Sequence, residues 1–348
     1  MFELVTPLWQ WLAPLCEPLL YPFDPTRRIF LGFMIVALIM AFWFYKKQNL
    51  TASNKTFLSY FFDKNIWLHR SSILDMKLIF ANTAVVSFII APLIISKLLV
   101  IIWVSGGLRE QFGSSDITLP YWLLIPLFTL VIFIAEDFKR FIMHYAYHKV
   151  PVLWAFHKVH HSAEVLTPLT LYRAHPVETL LARSSSVLVL GLVTGVFVYL
   201  FPGQLSALEI LGVDALGFVF NALGANLRHS HVPLSFGRLE RWFISPVMHQ
   251  AHHSQLPQHI DKNFGSCFSV WDRMFGSFYQ PCRDETLCIG CHGAGRQTVL
   301  GQWFAPLGEL ASFFAAKRWS TNAMPATKRA HFTPPLHKQK KARDNAGL

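Results

Sequence analysis

The stretch Ala135–His161, AEDFKRFIMHYAYHKVPVLWAFHKVHH, places five histidines within eighteen residues: His144 and His148 as HxxxH, then His157, His160 and His161 as HxxHH. On a helix, positions three and four apart share a face, so each spacing aims its imidazoles at a common point. A second HxxHH, His249, His252 and His253, follows about ninety residues later, preceded by His229 and His231. Twelve of the sixteen histidines fall between His144 and His259, which is a cluster rather than a scatter. Imidazole suits Fe, Zn, Cu and Ni, and one ion with open coordination positions takes only three or four protein groups. Nine or more convergent histidines are too many for one ion and point to two.

The boxes hold no carboxylate, unlike soluble di-iron bundles built on Glu and Glu-x-x-His. Asp137 lies seven residues before His144, two turns back on the same face, and is expected to accept from an imidazole N–H. Asn226 and Arg228 beside His229, and Glu178 after His175, are the polar groups expected to orient ligands or a head group. Cys288-Ile-Gly-Cys291-His292 has the CxxCH spacing of covalent haem attachment. The charge pattern puts it on the cytoplasmic side, where reduced thiols are the expectation and a small Zn or redox site with Cys282 is the alternative.

The elements that must position these groups are apolar. Of 348 residues, 53% are hydrophobic, with 31 Phe and 11 Trp, and several runs approach the roughly 20 residues needed to cross a bilayer. Residues 1–28 are expected to form an interfacial helix without a cleavable signal. Ile29–Tyr45 reads as a first span and 77–104 as a second, kinked or re-entrant at Pro92 and Lys97. The third span covers about Tyr121–Ala135. No Gly or Pro interrupts Leu127–Val150, so this helix is expected to run past the lipid carrying His144 and His148, until Pro151 breaks it and a new helix begins. Val177–Leu200 and Ala207–Leu227 read as a hairpin, and 317–348 as a basic, disordered tail.

Loop 46–76 carries Lys46, Lys47, Lys55, Lys64 and Arg70, against Arg109 alone in loop 105–120. Short-loop Lys and Arg mark the cytoplasmic face, and counting crossings puts the histidine boxes and the C-terminus there too. The net charge of +11 then belongs to juxtamembrane segments and the tail. No nucleic acid is expected, because nothing resembles a module that reads bases. The fold class is an all-α integral membrane protein, with four to five membrane-inserted stretches under a cytoplasmic histidine-rich helical cap. It divides into 1–120 (interfacial helix and first spans), 121–285 (the histidine-box part) and 286–348 (an extension).

HxxxH at 144–148, HxxHH at 157–161, RAHPVE around His175, RHSH at His229 twenty residues before HxxHH at 249–253, then NFG at 263–265 and SVWDRMFGSFY at 269–279 together resemble the fatty acid hydroxylase/sterol desaturase superfamily. The resemblance covers about 125–280. It implies a membrane-embedded non-haem di-iron oxygenase that uses O2 and two electrons to hydroxylate or desaturate a lipid. An external electron donor of cytochrome b5-like, ferredoxin or reductase type is implied with it. The implied metal ligands are His144, His148, His157, His160, His161, His229, His249, His252 and His253, with His175 as ligand or supporting residue. Asp137, Asn226 and His231 are expected to support the ligands, although His231 stands where many members have Asn. Trp271, Asp272 and Arg273 match a signature expected to lock the C-terminal cap.

Two other classes are served by histidine richness. A metal transporter needs ionisable residues along a path across the bilayer, which Lys97 and Arg183 hardly supply. A zinc hydrolase needs an acid/base carboxylate beside the metal, and HExxH is absent. Substrate lipid and reaction outcome stay open at this level.

Overall fold

The computed structural model describes residues 13–48, 56–206, 209, 215–282 and 285–322. Among them the chain is helical, with no β-strand and two isolated bridges, Phe243 to Phe268 and Ser254 to Ile289. Backbone contacts divide the chain into two compact units, Met1–Glu309 and Leu310–Leu348. Residues 1–120 and 121–285 therefore lie in one unit.

Helix α1 (Leu31–Lys47) follows a short 3-10 segment, Glu17–Phe23. Its last turn carries Lys46 and Lys47, suited to the negative end of the helix dipole, with the ammonium groups over the Phe42 and Trp43 rings at 5.7 and 4.6 Å. Ala37, Ala41 and Phe44 bury one face against Phe61, Leu227, Val232 and Leu234. Helix α2 (Arg70–Val85) is capped by His69, whose ring accepts from the Ser71 N–H at 3.3 Å. It loosens into a π-turn over Val86–Ile90 and a 3-10 turn over Ala91–Leu93, where Pro92 removes a backbone donor. Ser96 then caps α3 (Lys97–Phe112). The kink expected at Pro92 is therefore present.

Helix α4 (Tyr121–Lys149) runs 29 residues. At 1.5 Å per residue it is about 44 Å long, well beyond the roughly 30 Å hydrocarbon core, and His144 and His148 sit at its far end. Pro151 ends it and occupies the first turn of α5 (Pro151–His161). Helix α6 (Pro176–Leu200) returns antiparallel, so its first turn lies at the same end as the histidines. At the opposite end Leu124 and Phe128 of α4 pack on Phe197, Phe201 and Leu205. Along its length α6 lies against α3, where Gly191 and Gly195 admit the other helix. A Cβ on either would meet Val100 or Val104 at 2.7 Å. Small residues spaced four apart are the usual means of such close approach.

Shorter helices finish the histidine-bearing end: α7 (Ala215–Ala222), α8 (Pro246–His252) and α9 (Val270–Phe275), followed by α10 (Val299–Asn322). Three stretches are long and apolar enough to cross a membrane among the described residues: Arg70–Phe112, Tyr121–Lys149 and Pro176–Leu200. Helix α1 has 17 apolar-rich residues, and Arg70–Phe112 is one broken stretch of 43. The second arm expected at Ala207–Leu227 contains α7, and its residues 207–208 and 210–214 lie outside the described residues. So do residues 1–12 of the expected interfacial helix and 323–348 of the expected tail.

Candidate metal centre

The break at Pro151 turns the chain back, so the HxxxH face of α4 meets the HxxHH face of α5. Ser245 caps α8 through the Met248 N–H, and Pro246 in its first turn sets the second HxxHH against the first. Nine imidazoles come together as two groups. His144, His148, His157, His161 and His252 form one; His160, His229, His249 and His253 form the other, with the potential ligand atoms of each group within 4.8 Å of one another. Each HxxHH is thus shared between the groups.

The ring nitrogens inside the groups approach one another closely. Nε2 of His229 lies 3.0, 3.2 and 3.2 Å from Nε2 of His249, His160 and His253, and His148 Nε2 lies 3.1 Å from His161 Nε2. Two nitrogens bound at about 2.1 Å to one ion, at a right angle, stand about 3 Å apart. The Nε2 atoms of His144, His157 and His252 are buried and have no hydrogen-bond partner. An unpaired buried polar atom costs about 1–3 kcal/mol, and three in one place ask for a cation. The donor set therefore fits metal, and the two groups fit two ions.

The outward nitrogens fix which atom faces inward. Nδ1–H donates to the Phe264 carbonyl from His144 (2.9 Å), to the Lys262 carbonyl from His252 (2.7 Å) and to the Arg173 carbonyl from His160 (3.2 Å). His157 Nδ1 donates to Glu178 Oε1 at 2.9 Å, and His148 Nδ1 lies 3.5 Å from Asp261 Oδ1. Each bond holds a tautomer whose Nε2 lone pair points to the centre. Burial keeps these rings neutral, pushing His157 down to about 3 and His160 to about 4. It also holds His161, His229, His249, His252 and His253 well below the usual imidazole range, with repulsion from neighbouring rings adding to the shift. Neutral imidazole is the form that binds metal.

The loop 261–269 supplies two of those carbonyls and is itself tied down. Asn263, at φ +57°, donates to the Met248 and Tyr279 carbonyls at 3.1 and 2.8 Å. Asp272 accepts from the Phe264 and Gly265 N–H groups at 2.7 and 2.8 Å and from Ser277 Oγ at 2.6 Å. A Cβ on Gly265 would stand 2.7 Å from Asp272 Oδ2, so only glycine lets the carboxylate in. These bonds give NFG and the Asp of SVWD a shared purpose: they hold the carbonyl that orients His144.

Four expected supporting residues are placed elsewhere. His175 belongs to neither group. It caps α6, accepting from the Val177 N–H at 3.1 Å and donating from Nε2 to the Trp303 carbonyl at 3.0 Å, so both ring nitrogens are engaged by backbone. Asp137 reaches no imidazole; it accepts from the Cys267 and Phe268 N–H groups and from Trp271 Nε1 at 2.7, 3.1 and 2.9 Å, and so anchors the SVWD segment to α4. His231 donates to the Tyr60 carbonyl at 2.9 Å, and Asn226 to the Arg28 carbonyl at 2.7 Å. The carboxylate behind a ligand is Glu178, at the first turn of α6. Its signal was its position three residues after His175 in a segment reaching the same membrane face.

Among the described residues Cys288, Cys291 and His292 join no group of three ligand atoms close enough for an ion. Burial pushes the Cys291 thiol up to about 11, and Cys288 Sγ accepts from Gln255 Nε2 at 3.1 Å.

A cavity of about 230 Å³ reaches the imidazoles of both groups, including His144, His157, His160 and His229. Apolar side chains line part of its wall, among them Met143, Leu171 and Phe264. A second hollow, of about 360 Å³, meets His148, His161 and His252 from another side, beside Cys291 and His292.

Residues 129–277 match a family model described as fatty acid hydroxylase. An alkylglycerol monooxygenase of Danio rerio is 31% identical over 163 residues, 47% of this chain and 33% of that protein. An ornithine lipid hydroxylase of Rhizobium tropici is 28% identical over 174 residues, 50% of this chain and 48% of its own. A Delta(7)-sterol 5(6)-desaturase of Aspergillus fumigatus is 29% identical over 187 residues, covering 51% and 48%. The chain spans about half the length of these relatives or less. No solved structure matches.

Proposed function

Since the chain belongs to the fatty acid hydroxylase/sterol desaturase superfamily, we propose that it is a membrane-embedded di-iron oxygenase that hydroxylates or desaturates a lipid C–H bond with O2 and two electrons. The observation that carries this is the pair of buried imidazole groups opening on one cavity. His144, His148, His157, His161 and His252 would hold one iron, and His160, His229, His249 and His253 the other. Bound there, the two irons would supply O2 activation and the oxidising equivalents that a strong C–H bond demands.

The chain's own residues do the rest. The Phe264, Lys262 and Arg173 carbonyls and the Glu178 carboxylate fix the inward nitrogens, so the ligand cage is preorganised before substrate arrives. Met143, Leu171 and Phe264 keep part of the cavity wall apolar, which limits water near an oxidising centre. The long α4 places the cage at the membrane edge, where a lipid can enter without leaving the bilayer. We assign the cage to the cytoplasmic face from the Lys and Arg bias of loop 46–76. An external donor, cytochrome b5-like, ferredoxin or reductase, would deliver the electrons there. In this reading 121–285 is the catalytic part, 1–120 carries the first membrane stretches and 286–348 is an extension.

The test counts metal in detergent-purified protein from iron-replete cells, wild type beside His157→Ala/His160→Ala, which removes one ligand from each group. The expected result is about two irons per chain, as the donor count allows, and their loss in the variant, followed by an O2-dependent mass gain in a lipid extract. Wild-type protein that binds no iron, even after anaerobic reconstitution, would overturn the reading.

A further inference from the structure

This fold buries the guanidinium groups of Arg173 and Arg228 and half-buries that of Arg28, and it treats them in two ways. Arg173 is fully buried and fully answered: Nε donates to Asp75 Oδ1 at 2.6 Å, Nη2 to the Ser71 carbonyl and hydroxyl at 2.8 Å, and Nη1 to Ser162 and Gln297 at 2.9 and 3.0 Å. That is how a buried cation is held when it serves the fold.

Arg28 and Arg228 are different. Both line the cavity that reaches the two imidazole groups, and among the described residues no carboxylate lies within ion-pair distance of either. Arg228, 4% exposed, donates to the Ile244 carbonyl at 3.0 Å; Arg28 donates to Asn221 Oδ1. Their guanidinium carbons lie over the same ring, Phe220, at 4.6 and 5.5 Å. Lys139 and Arg140 add two more cations to the wall, already shared with Glu136 at 3.0 and 3.1 Å. A guanidinium presents five donors, so one or two neutral acceptors leave most unanswered. For the buried Arg228, enclosure without a counter-charge is costly. General juxtamembrane attraction to anionic lipid places no cation beside the imidazoles, whereas these two line the same cavity as the cage.

We propose that Arg28 and Arg228 bind the anionic group of the lipid substrate, a phosphate or carboxylate, inside the cavity beside the imidazole cage. This deepens the oxygenase reading and rests on it. Guanidinium forks match the paired oxygens of both anions. Because the cations and the cage line one cavity, the carbon oxidised belongs to the head-group end of the lipid rather than the far end of its chain. A neutral sterol, with a lone hydroxyl, would leave both guanidiniums without a counter-charge.

The experiment measures equilibrium binding to iron-loaded protein in neutral detergent. The probes are palmitoyl lysophosphatidate, palmitate, monopalmitoylglycerol and inorganic phosphate; the proteins are wild type, Arg28→Gln, Arg228→Lys and the membrane-edge control Lys46→Gln. Lysophosphatidate or palmitate should bind wild type at least tenfold tighter than monopalmitoylglycerol, which bears the same chain without the anion. That ratio should fall below threefold in Arg28→Gln, and stay high in Lys46→Gln. Arg228→Lys keeps the charge without the fork, and should retain the preference over monopalmitoylglycerol while weakening the anion severalfold. Iron content and the thermal midpoint report folding of every variant, and if Arg28→Gln does not fold, Arg228→Lys decides. Equal affinity for charged and uncharged lipids in iron-loaded wild type would overturn the proposal and leave the oxygenase reading standing. Inorganic phosphate competing as strongly as lysophosphatidate would also overturn it, by making the site one for a free anion. Discrimination intact in protein that never takes up iron would sink the oxygenase reading alone.

Discussion

Glu178 and His175 sit three residues apart and face opposite fates. Glu178 accepts from the outward nitrogen of His157, whereas His175 spends both nitrogens on the backbone at the start of α6. Outer carboxylates of this kind raise ligand basicity and fix ring orientation, and losing one costs about 10–100-fold in metal affinity. Glu178→Ala should therefore weaken iron retention by that order in a chelator competition, with Glu178→Gln milder because it can still accept. His175→Gln should keep its iron and lose stability instead, by the roughly 1 kcal/mol of a helix cap. Equal iron loss in the two substitutions would contradict these assignments. Eight of the nine imidazoles could be read from spacing, because helix periodicity converts HxxxH and HxxHH directly into shared faces; His229, outside those motifs, came only with the family resemblance. Their supports could not. Asp137 is two turns from His144 as expected, yet donors on the 267–271 loop, distant in sequence, claim its carboxylate.

Among the elements, the α3–α6 seam positions the first turn of α6, and with it Glu178. Its closeness depends on Gly191 and Gly195, which nothing in composition singles out until the helices are seen to meet. Gly195→Leu would drive a side chain into Val104, and overpacking of this sort typically costs about 1–3 kcal/mol. The expected outcome is a lowered thermal midpoint in detergent, with iron lost earlier in the melt than from wild type. Gly308→Leu on α10, where a Cβ meets nothing within 4 Å, is the control and should leave both unchanged. The breaks at Pro92 and Pro151 were visible in the sequence because proline removes a donor, although Pro126 and Pro306 sit inside α4 and α10 without ending them. The number of crossings was less legible, because α1 buries one face on the protein while leaving Leu31, Ile35, Ile39 and Trp43 exposed on the other, and apolar length alone does not sort such a helix.

At the scale of the whole molecule, folding gathers a large set of imidazoles into one dry place and keeps them uncharged, and this ties stability to pH. In the unfolded chain each ring takes a proton near its ordinary value of about 6.5. In the folded protein burial delays that until about 3 for His157 and about 4 for His160, with five more rings held well below the ordinary value. Below about pH 6.5 the unfolded state therefore binds more protons than the folded one, so stability falls as pH falls and is full above that value. Several rings titrate over the same window, which makes the decline steep. Iron acts in the same direction, since each ligand must shed its proton to bind, so acid should strip metal and unfold the cage together. Thermal midpoints in detergent from about pH 7.5 to about 4.5 should be flat at the upper end and drop sharply below 6.5. The metal-free protein should begin its decline first, and His160→Gln, which removes one titrating ring, should show a shallower slope. A midpoint that stays level across this range would mean that the buried rings are hydrated in solution, against the burial that holds them neutral here.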